Sequence, residues 1–281
     1  PRPAPTTTRW HEMLAYERFG SGEPLVLVHG IAHRRQAWYP VAERLAEHRE
    51  VILFDLPGHG ESPALDLAGR TVQEALHQHL EDLFTELGLV RPHIAGNSLG
   101  GRIALEAAAS GIVSSATGLS PAGFWRGDKD FLLIRAHFVA LIAAGRLAAP
   151  LAPQLTRSGL GRKLMLASLM THGERLTPER VLGDLRNMVD SRHTLADIIG
   201  GAFPFEDEIA DDVPVTIAWG TQDRVLLPYQ ARRARTQLPT AEHIWLPGSG
   251  HVPMSDDADA VVEILLRGSS GGLLARADDA A

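Results

Sequence analysis

Leu25-Val26-Leu27-Val28 is an unbroken run of large apolar residues closed by His29-Gly30, and Val51-Ile52-Leu53-Phe54 repeats it before Asp55-Leu56-Pro57-Gly58-His59-Gly60. A run that is apolar at every position suits a strand covered on both faces, as in the middle of a parallel sheet. Between the two runs Trp38, Val41 and Leu45 recur at helical spacing, so the order is strand, helix, strand. The same rhythm continues. Thr71 and Glu74 form a capping box ahead of Leu76, Leu80, Leu83, Phe84 and Leu87, and Gly88 ends that helix. A short strand around His93-Ile94-Ala95 leads through Gly96 into helix formers from Leu99 to Ala109. An earlier strand is expected from Met13 to Phe19 and another over Ala116 to Leu119.

From about Phe124 to Phe205 the sequence shows only helical patterns divided by Gly and Pro, including Thr177-Pro178 as a cap and first helical residue. Strand and helix alternate again afterwards, with Val215 to Trp219 and His243 to Leu246 as strands, Tyr229 to Leu238 as a helix and Asp256 to Leu266 as the last helix. The expected architecture is an α/β fold with a mostly parallel central sheet flanked by helices. It divides into a flexible arm over 1–9, a core over 10–123 and 206–267, an inserted helical cap over 124–205, and a flexible tail over 268–281.

Bulk properties narrow the function. The 281 residues are 44% hydrophobic and 22% charged with a formal net charge of −7, which fits one domain and gives no overall footprint for nucleic acid or an anionic membrane. A small-molecule partner is the default. The absence of cysteine removes disulfides and thiol chemistry. The apolar stretch from Phe131 to Pro150 is interrupted by Arg135, His137 and Arg146, so it does not read as a bilayer span. The opening Pro1 to Thr8 lacks the apolar core of a signal peptide. A start at Pro leaves room for an upstream segment, with a cytoplasmic location as the default expectation.

Gly96-Asn97-Ser98-Leu99-Gly100 matches the G-x-S-x-G pattern, in which small residues let the chain turn so sharply that the serine leaves the strand end. A serine hydroxyl needs a base within hydrogen-bond reach and a third group to orient that base. His251, in the Gly-rich loop after the last strand, is the candidate base, and Asp223, beyond the penultimate strand, the candidate orienting acid. Asp128 is the rival acid. The oxyanion formed in acyl transfer needs amide donors. Leu99, at the start of a helix, supplies one, and Ile31, after Gly30, the other. His29 reads as a structural residue of its loop.

Together, His29-Gly30, Asp55 to Ser62, Gly96 to Gly101, Gly220-Thr221-Gln222-Asp223 and Gly250-His251 resemble the α/β-hydrolase superfamily. The resemblance spans about residues 10 to 267 outside the insertion. It implies a sheet with a helical lid, cofactor-free catalysis, a Ser98, Asp223, His251 triad, and oxyanion donors at Ile31 and Leu99. Serine at the elbow argues against the dehalogenase and epoxide hydrolase branches, which the resemblance says use aspartate there. Ester hydrolysis through an acyl-serine is the leading expectation. Carbon–carbon bond hydrolases are the alternative, although Val252-Pro253 follows His251 in place of that branch's aromatic residue. Cofactor-free haloperoxidases or perhydrolases, and a receptor-like member without activity, complete the field.

Substrate choice is expected to lie in the insertion, where Phe124, Trp125, Met165 and Met188, with Phe131, Phe138 and Met170, are candidates for an apolar pocket. Each of these also fits simple packing of the insertion. His33, Arg34 and Arg35 could meet a substrate carboxylate or form a solvated charge run. No metal site is expected, since the histidines are scattered, and no phosphate or dinucleotide fingerprint is present. Cofactors are expected to be absent.

Overall fold

The computed structural model describes residues 13–270. Seven strands form one sheet: β1 Tyr16–Gly20, β2 Pro24–Val28, β3 Glu50–Phe54, β4 His93–Asn97, β5 Ser115–Leu119, β6 Val215–Gly220 and β7 Glu242–Leu246. Their spatial order is β1-β3-β2-β4-β5-β6-β7. β1 runs antiparallel to β3 at one edge, and every other pairing is parallel. Leu25 faces Val51 on one side and His93 on the other, so the four apolar residues of β2 lie mid-sheet. That position explains why the strand has no polar face.

The helices are α1 Tyr39–Ala46, α2 Val72–Leu87, α3 Leu99–Ala109, α4 Asp128–Ala148, α5 Ala152–Leu155, α6 Gly159–Leu166, α7 Pro178–Asp190, α8 Arg192–Gly200, α9 Tyr229–Gln237, α10 Pro253–Asp256 and α11 Ala258–Gly268. On one sheet face Leu25, Leu27 and Leu53 pack with Val41, Leu45, Val261 and Leu265. On the other, Val26, Val28 and Ile52 pack with Leu76, Leu80 and Ile103. The period-two alternation of strand side chains divides each run between the two layers. α2 opens on the expected box, with Thr71 and Glu74 bonding each other's backbone, and closes at Gly88 in the left-handed region. α4 to α8 all lie between β5 and β6.

Three boundaries differ from expectation. The first strand starts at Tyr16, opposite Phe54 at the end of β3; Ala15 O still accepts the Asp55 amide at 2.8 Å, but its own amide turns away to Ser62 Oγ at 2.9 Å. The last helix is two, α10 and α11, parted at Asp257, whose side chain caps the Ala260 amide at 3.1 Å. The expected flexible tail begins too early, since Gly268 closes α11 and Ser269 is buried, accepting from Arg49 Nε at 3.0 Å. A Cβ on Gly268 would lie 2.4 Å from Thr117 Oγ1, so the glycine lets the helix end lie against β5. The expected arm over 1–9 and the rest of the tail lie outside the described residues.

Candidate active site

Ser98 stands between β4 and α3 with φ 57° and ψ −115°, a conformation that costs an L-residue of order 1–3 kcal/mol. The turn is held by the Ser98 amide donating to Leu119 O at 3.0 Å, and by Ser98 O accepting from the amides of Arg102 and Ala122, both at 3.0 Å. Two glycines make the turn possible. A Cβ on Gly96 would sit 2.0 Å from Gly100 O, and one on Gly100 would sit 2.1 Å from Val28 O.

Asp223 and His251 are buried, at 2% and 3% exposure. His251 Nδ1 lies 2.8 Å from Asp223 Oδ2, while Asp223 Oδ1 accepts from the amides of Val225 and Leu226, both at 2.9 Å. With both oxygens occupied, the carboxylate fixes the ring with its proton on Nδ1, leaving Nε2 as the free base. Asp128, the rival acid, begins α4 and is exposed. Asn97, one residue before Ser98, donates through Nδ2 to His251 O at 2.8 Å and to Leu119 O at 3.0 Å, which ties the histidine loop to the serine turn. The insertion holds the same loop from the other side. Leu169 O accepts the amides of His251 and Val252 at 2.8 and 3.1 Å. The buried Asp256 carboxylate takes the amides of Gly250, Thr171 and His172 at 2.7 to 3.0 Å.

The loop after β2 meets this turn at Gly30, where a Cβ would approach Ser98 Cβ to 3.2 Å. Ile31 follows. Leu99, the first residue of α3, has an amide with no acceptor inside the helix. Two histidines lock the loop to the next one. His29 gives Nδ1–H to Gly30 O at 2.8 Å and accepts the Leu56 amide on Nε2 at 2.9 Å. His59 gives Nδ1–H to Pro57 O at 3.0 Å and accepts the Ala32 amide at 3.3 Å. His29 therefore binds across to a second loop as well as within its own. Both must stay neutral to accept. Burial lowers their pKa values, His29's far below the usual histidine range, and lowers that of His33 to about 4.

These three histidines set a pH prediction. Unfolded, each titrates near 6.5, while folded each binds its proton only at lower pH. The unfolded state therefore holds more protons below about pH 6.5, and stability falls as pH drops. For His33 the slope approaches about 1.4 kcal/mol per pH unit well below pH 6.5. For His33 the loss stops near its folded value of about 4. Urea unfolding midpoints should fall markedly between pH 7 and 5, and flat midpoints would mean that these rings are protonated in the native state.

Arg34 and Arg35 are engaged within the protein. Arg34 pairs with Asp184 at 3.0 Å, and Arg35 with Asp55, Glu17 and Glu61 at 2.5 to 2.7 Å. Asn187 of α7 is a contact the sequence did not announce. Its Nδ2 donates to Ala32 O and His33 O at 2.9 and 2.8 Å, and its Oδ1 accepts the Gly60 amide at 2.6 Å. With Arg180 bonding Gln36 O, α7 is seated on the loop that carries Ile31. Asn187→Asp should keep the bond to Gly60 but set a carboxylate oxygen against two carbonyls. If the Ile31 amide acts in catalysis, kcat should drop about 10- to 100-fold with little change in KM. An unchanged kcat would show that α7 does not position that loop.

Two cavities meet here. The first, about 80 Å³, contains Ser98 and Leu99 and is walled by Trp125, Phe131, Ile103 and Ile198. At one side Arg102 and Glu106 pair at 2.6 Å. The second, about 250 Å³, is lined by Met165, Met170, Met188 and Leu169. Ile31 and Phe138 line both. Of the residues expected to contact substrate, Trp125 borders the Ser98 cavity, stacked on Phe131 at 5.0 Å, and Met165 and Met188 border the second. Phe124 is a correction: it lines neither cavity, is fully buried, and packs against Phe205 and Trp219 at 5.8 and 6.3 Å. Its position just after β5 puts it beneath the insertion, inside the core. Among the described residues, no group of three or more His, Cys, Asp or Glu side chains could hold a metal ion.

A sharply turned serine after the central parallel strand β4, helices inserted after β5, and a buried aspartate-histidine pair beyond the ends of β6 and β7 define an α/β hydrolase arrangement. The Alpha/beta hydrolase family matches residues 25–264, and the chain belongs to that family. An uncharacterized protein of Mycobacterium tuberculosis is 29% identical over 289 residues, covering 94% of this chain and 81% of its own length. Lipase 1 of Psychrobacter immobilis is 26% identical over 259 residues, covering 86% of this chain and 75% of its own. Among solved structures, a putative lipase from Acinetobacter baumannii superimposes with a TM-score of 0.72 at 23% identity over 89% of this chain and 85% of its own, a likeness of fold.

Proposed function

We propose that the protein is a serine hydrolase that cleaves an apolar ester through an acyl-Ser98 intermediate. The observation that carries this reading is the buried Asp223 to His251 bond of 2.8 Å, whose histidine backbone is tied by Asn97 to the serine turn. Ser98 Oγ attacks the ester carbonyl as His251 Nε2 takes its proton, and the amides of Ile31 and Leu99 receive the oxyanion. His251 then returns the proton to the departing alcohol. Water, deprotonated by the same nitrogen, releases the acid. Asp223 keeps the ring in the working tautomer and stabilises the imidazolium.

The apolar walls around Ser98 favour an acyl or alcohol group without charge, and the similarity to a lipase supports an ester. Two cavities sharing Ile31 and Phe138 suit a substrate with an apolar arm on each side of the scissile bond. The test is hydrolysis of nitrophenyl esters of graded acyl length, with a fluorophosphonate label mapped by peptide mass spectrometry. Turnover that rises beyond acetyl, with the label on Ser98, is expected. Turnover confined to a ring-cleavage dienoate would move the site to carbon–carbon bond hydrolysis. Labelling elsewhere, or no turnover of either substrate by folded protein, would remove the reading.

A further inference from the structure

We propose that the outer face of the helical insertion docks on an anionic phospholipid bilayer, and that the second cavity opens onto that face. α4 runs for 21 residues with a mean hydropathy of 1.7 in its most apolar window, yet only 6% of that window is buried. The fold uses its inner side. Phe138 and Gly145 are buried there, and a Cβ on Gly145 would come within 2.3 Å of Met188 Cε in α7. The remaining side carries Leu132, Leu133 and Leu147, all more than half exposed, with Leu147 at 83%. Leu151, Leu160 and Leu164, on the segment that follows, are exposed to a similar degree. Scattered apolar residues are ordinary on a surface, but a cluster of large aliphatic side chains along one helix and the next marks an interaction face.

Charge selects the partner. Residues 131–170 contain Arg135, Arg146, Arg157, Arg162 and Lys163 and no Asp or Glu, within a chain whose net charge is −7. The overall acidity conceals a local basic region. Arg162 is held by Thr156 O and Glu174 O, and Lys163 pairs with Glu174 at 3.9 Å, whereas Arg135, Arg146 and Arg157 are exposed around the leucines. A second copy of the chain would bring the same cations against these. An anionic bilayer accepts both the aliphatic side chains and the cationic fringe. Since the inner side of α4 is occupied by the fold and Arg135 and Arg146 interrupt it, the helix lies on the interface and does not cross it.

The second cavity gives the face a use. Ala144, Ala148 and Leu164 line that cavity, and Ala144 and Leu164 are also exposed. Its rim therefore belongs to the docking face, and the side chains of Ile31 and Phe138 border both it and the space around Ser98. A lipid ester would pass from the bilayer to Ser98 without crossing water. This route, unlike the docking itself, rests on the ester-hydrolase reading.

The experiment is flotation of the full chain with vesicles of phosphatidylglycerol and phosphatidylcholine, against vesicles of phosphatidylcholine alone, at low and high salt. Binding is expected to the anionic vesicles, to weaken with salt, and to weaken about fivefold for each of Arg135→Gln and Arg146→Gln. Leu133→Glu and Leu147→Glu should abolish it while thermal melting and turnover of a soluble short-chain ester stay unchanged. No flotation with anionic vesicles at low salt overturns the proposal, as does equal binding to both vesicle types. A dimer in light scattering, dissociated by Leu147→Glu and unable to float, assigns the face to a second copy. Flotation needs no turnover, so its failure leaves the Ser98 reading standing. A chain that binds vesicles but hydrolyses nothing fails the other way.

Discussion

Ser98→Ala is expected to lower kcat on a nitrophenyl ester by about 10⁵- to 10⁶-fold, leaving the residual rate that oxyanion donors and binding alone sustain. Pre-steady-state kinetics should also lose the burst of nitrophenol that acyl-enzyme formation produces. A retained burst would mean that another residue carries the acyl group. The structure adds a stability control. Alanine at φ 57° keeps the backbone cost that serine bears, whereas Ser98→Gly relieves it. Ser98→Gly should therefore be as inactive as the alanine variant but more stable by about 1–3 kcal/mol. Matching melting temperatures in the two variants would show that the turn is unstrained.

Asp223→Asn should lower kcat by about 10⁴-fold with the fold intact. The local bonds dictate how the new amide sits. Val225 and Leu226 both donate to Oδ1, so the oxygen of the asparagine stays there and its NH₂ replaces Oδ2. That group donates to His251 Nδ1, driving the ring proton onto Nε2. An imidazole protonated at Nε2 has no lone pair for the serine proton. The check is kcat together with nitrogen NMR of the imidazole, which should report the changed tautomer. A loss below tenfold would assign the orienting role to another acid.

Most of the frame was legible because local rules and tertiary demands agree. Pro24 to Val28 reads as a central strand from its apolar run alone, Thr71 and Glu74 mark a helix start, and Gly96 to Gly100 name their own turn, since only glycine tolerates the approaches found there. Asp223 and His251 follow from chain order once that turn is found. Phe124 was misplaced because an aromatic residue at the edge of an insertion has the same local pattern whether it faces a cavity or the core. Its burial depends on Phe205 and Trp219, far along the chain. Asn187 and Asp256 gave no local signal at all. Their partners lie up to 155 residues away, and a polar residue in a helix has no periodicity that announces a distant carbonyl. His59 could have been found, since a histidine between two glycines after a buried strand invites the question of what its ring nitrogens bind.

Leu169 O, which receives the amides of both His251 and Val252, makes the insertion a structural member of the His251 loop. Exchanging residues 124–205 for the corresponding helices of a relative therefore changes more than the cavities that the insertion lines. A transplanted segment must present an acceptor at that point and amides for Asp256, or the histidine loses its upper support. Chimeras that keep residues 169–172 native should retain turnover while their specificity moves, which sets the practical splice points for recombining this scaffold.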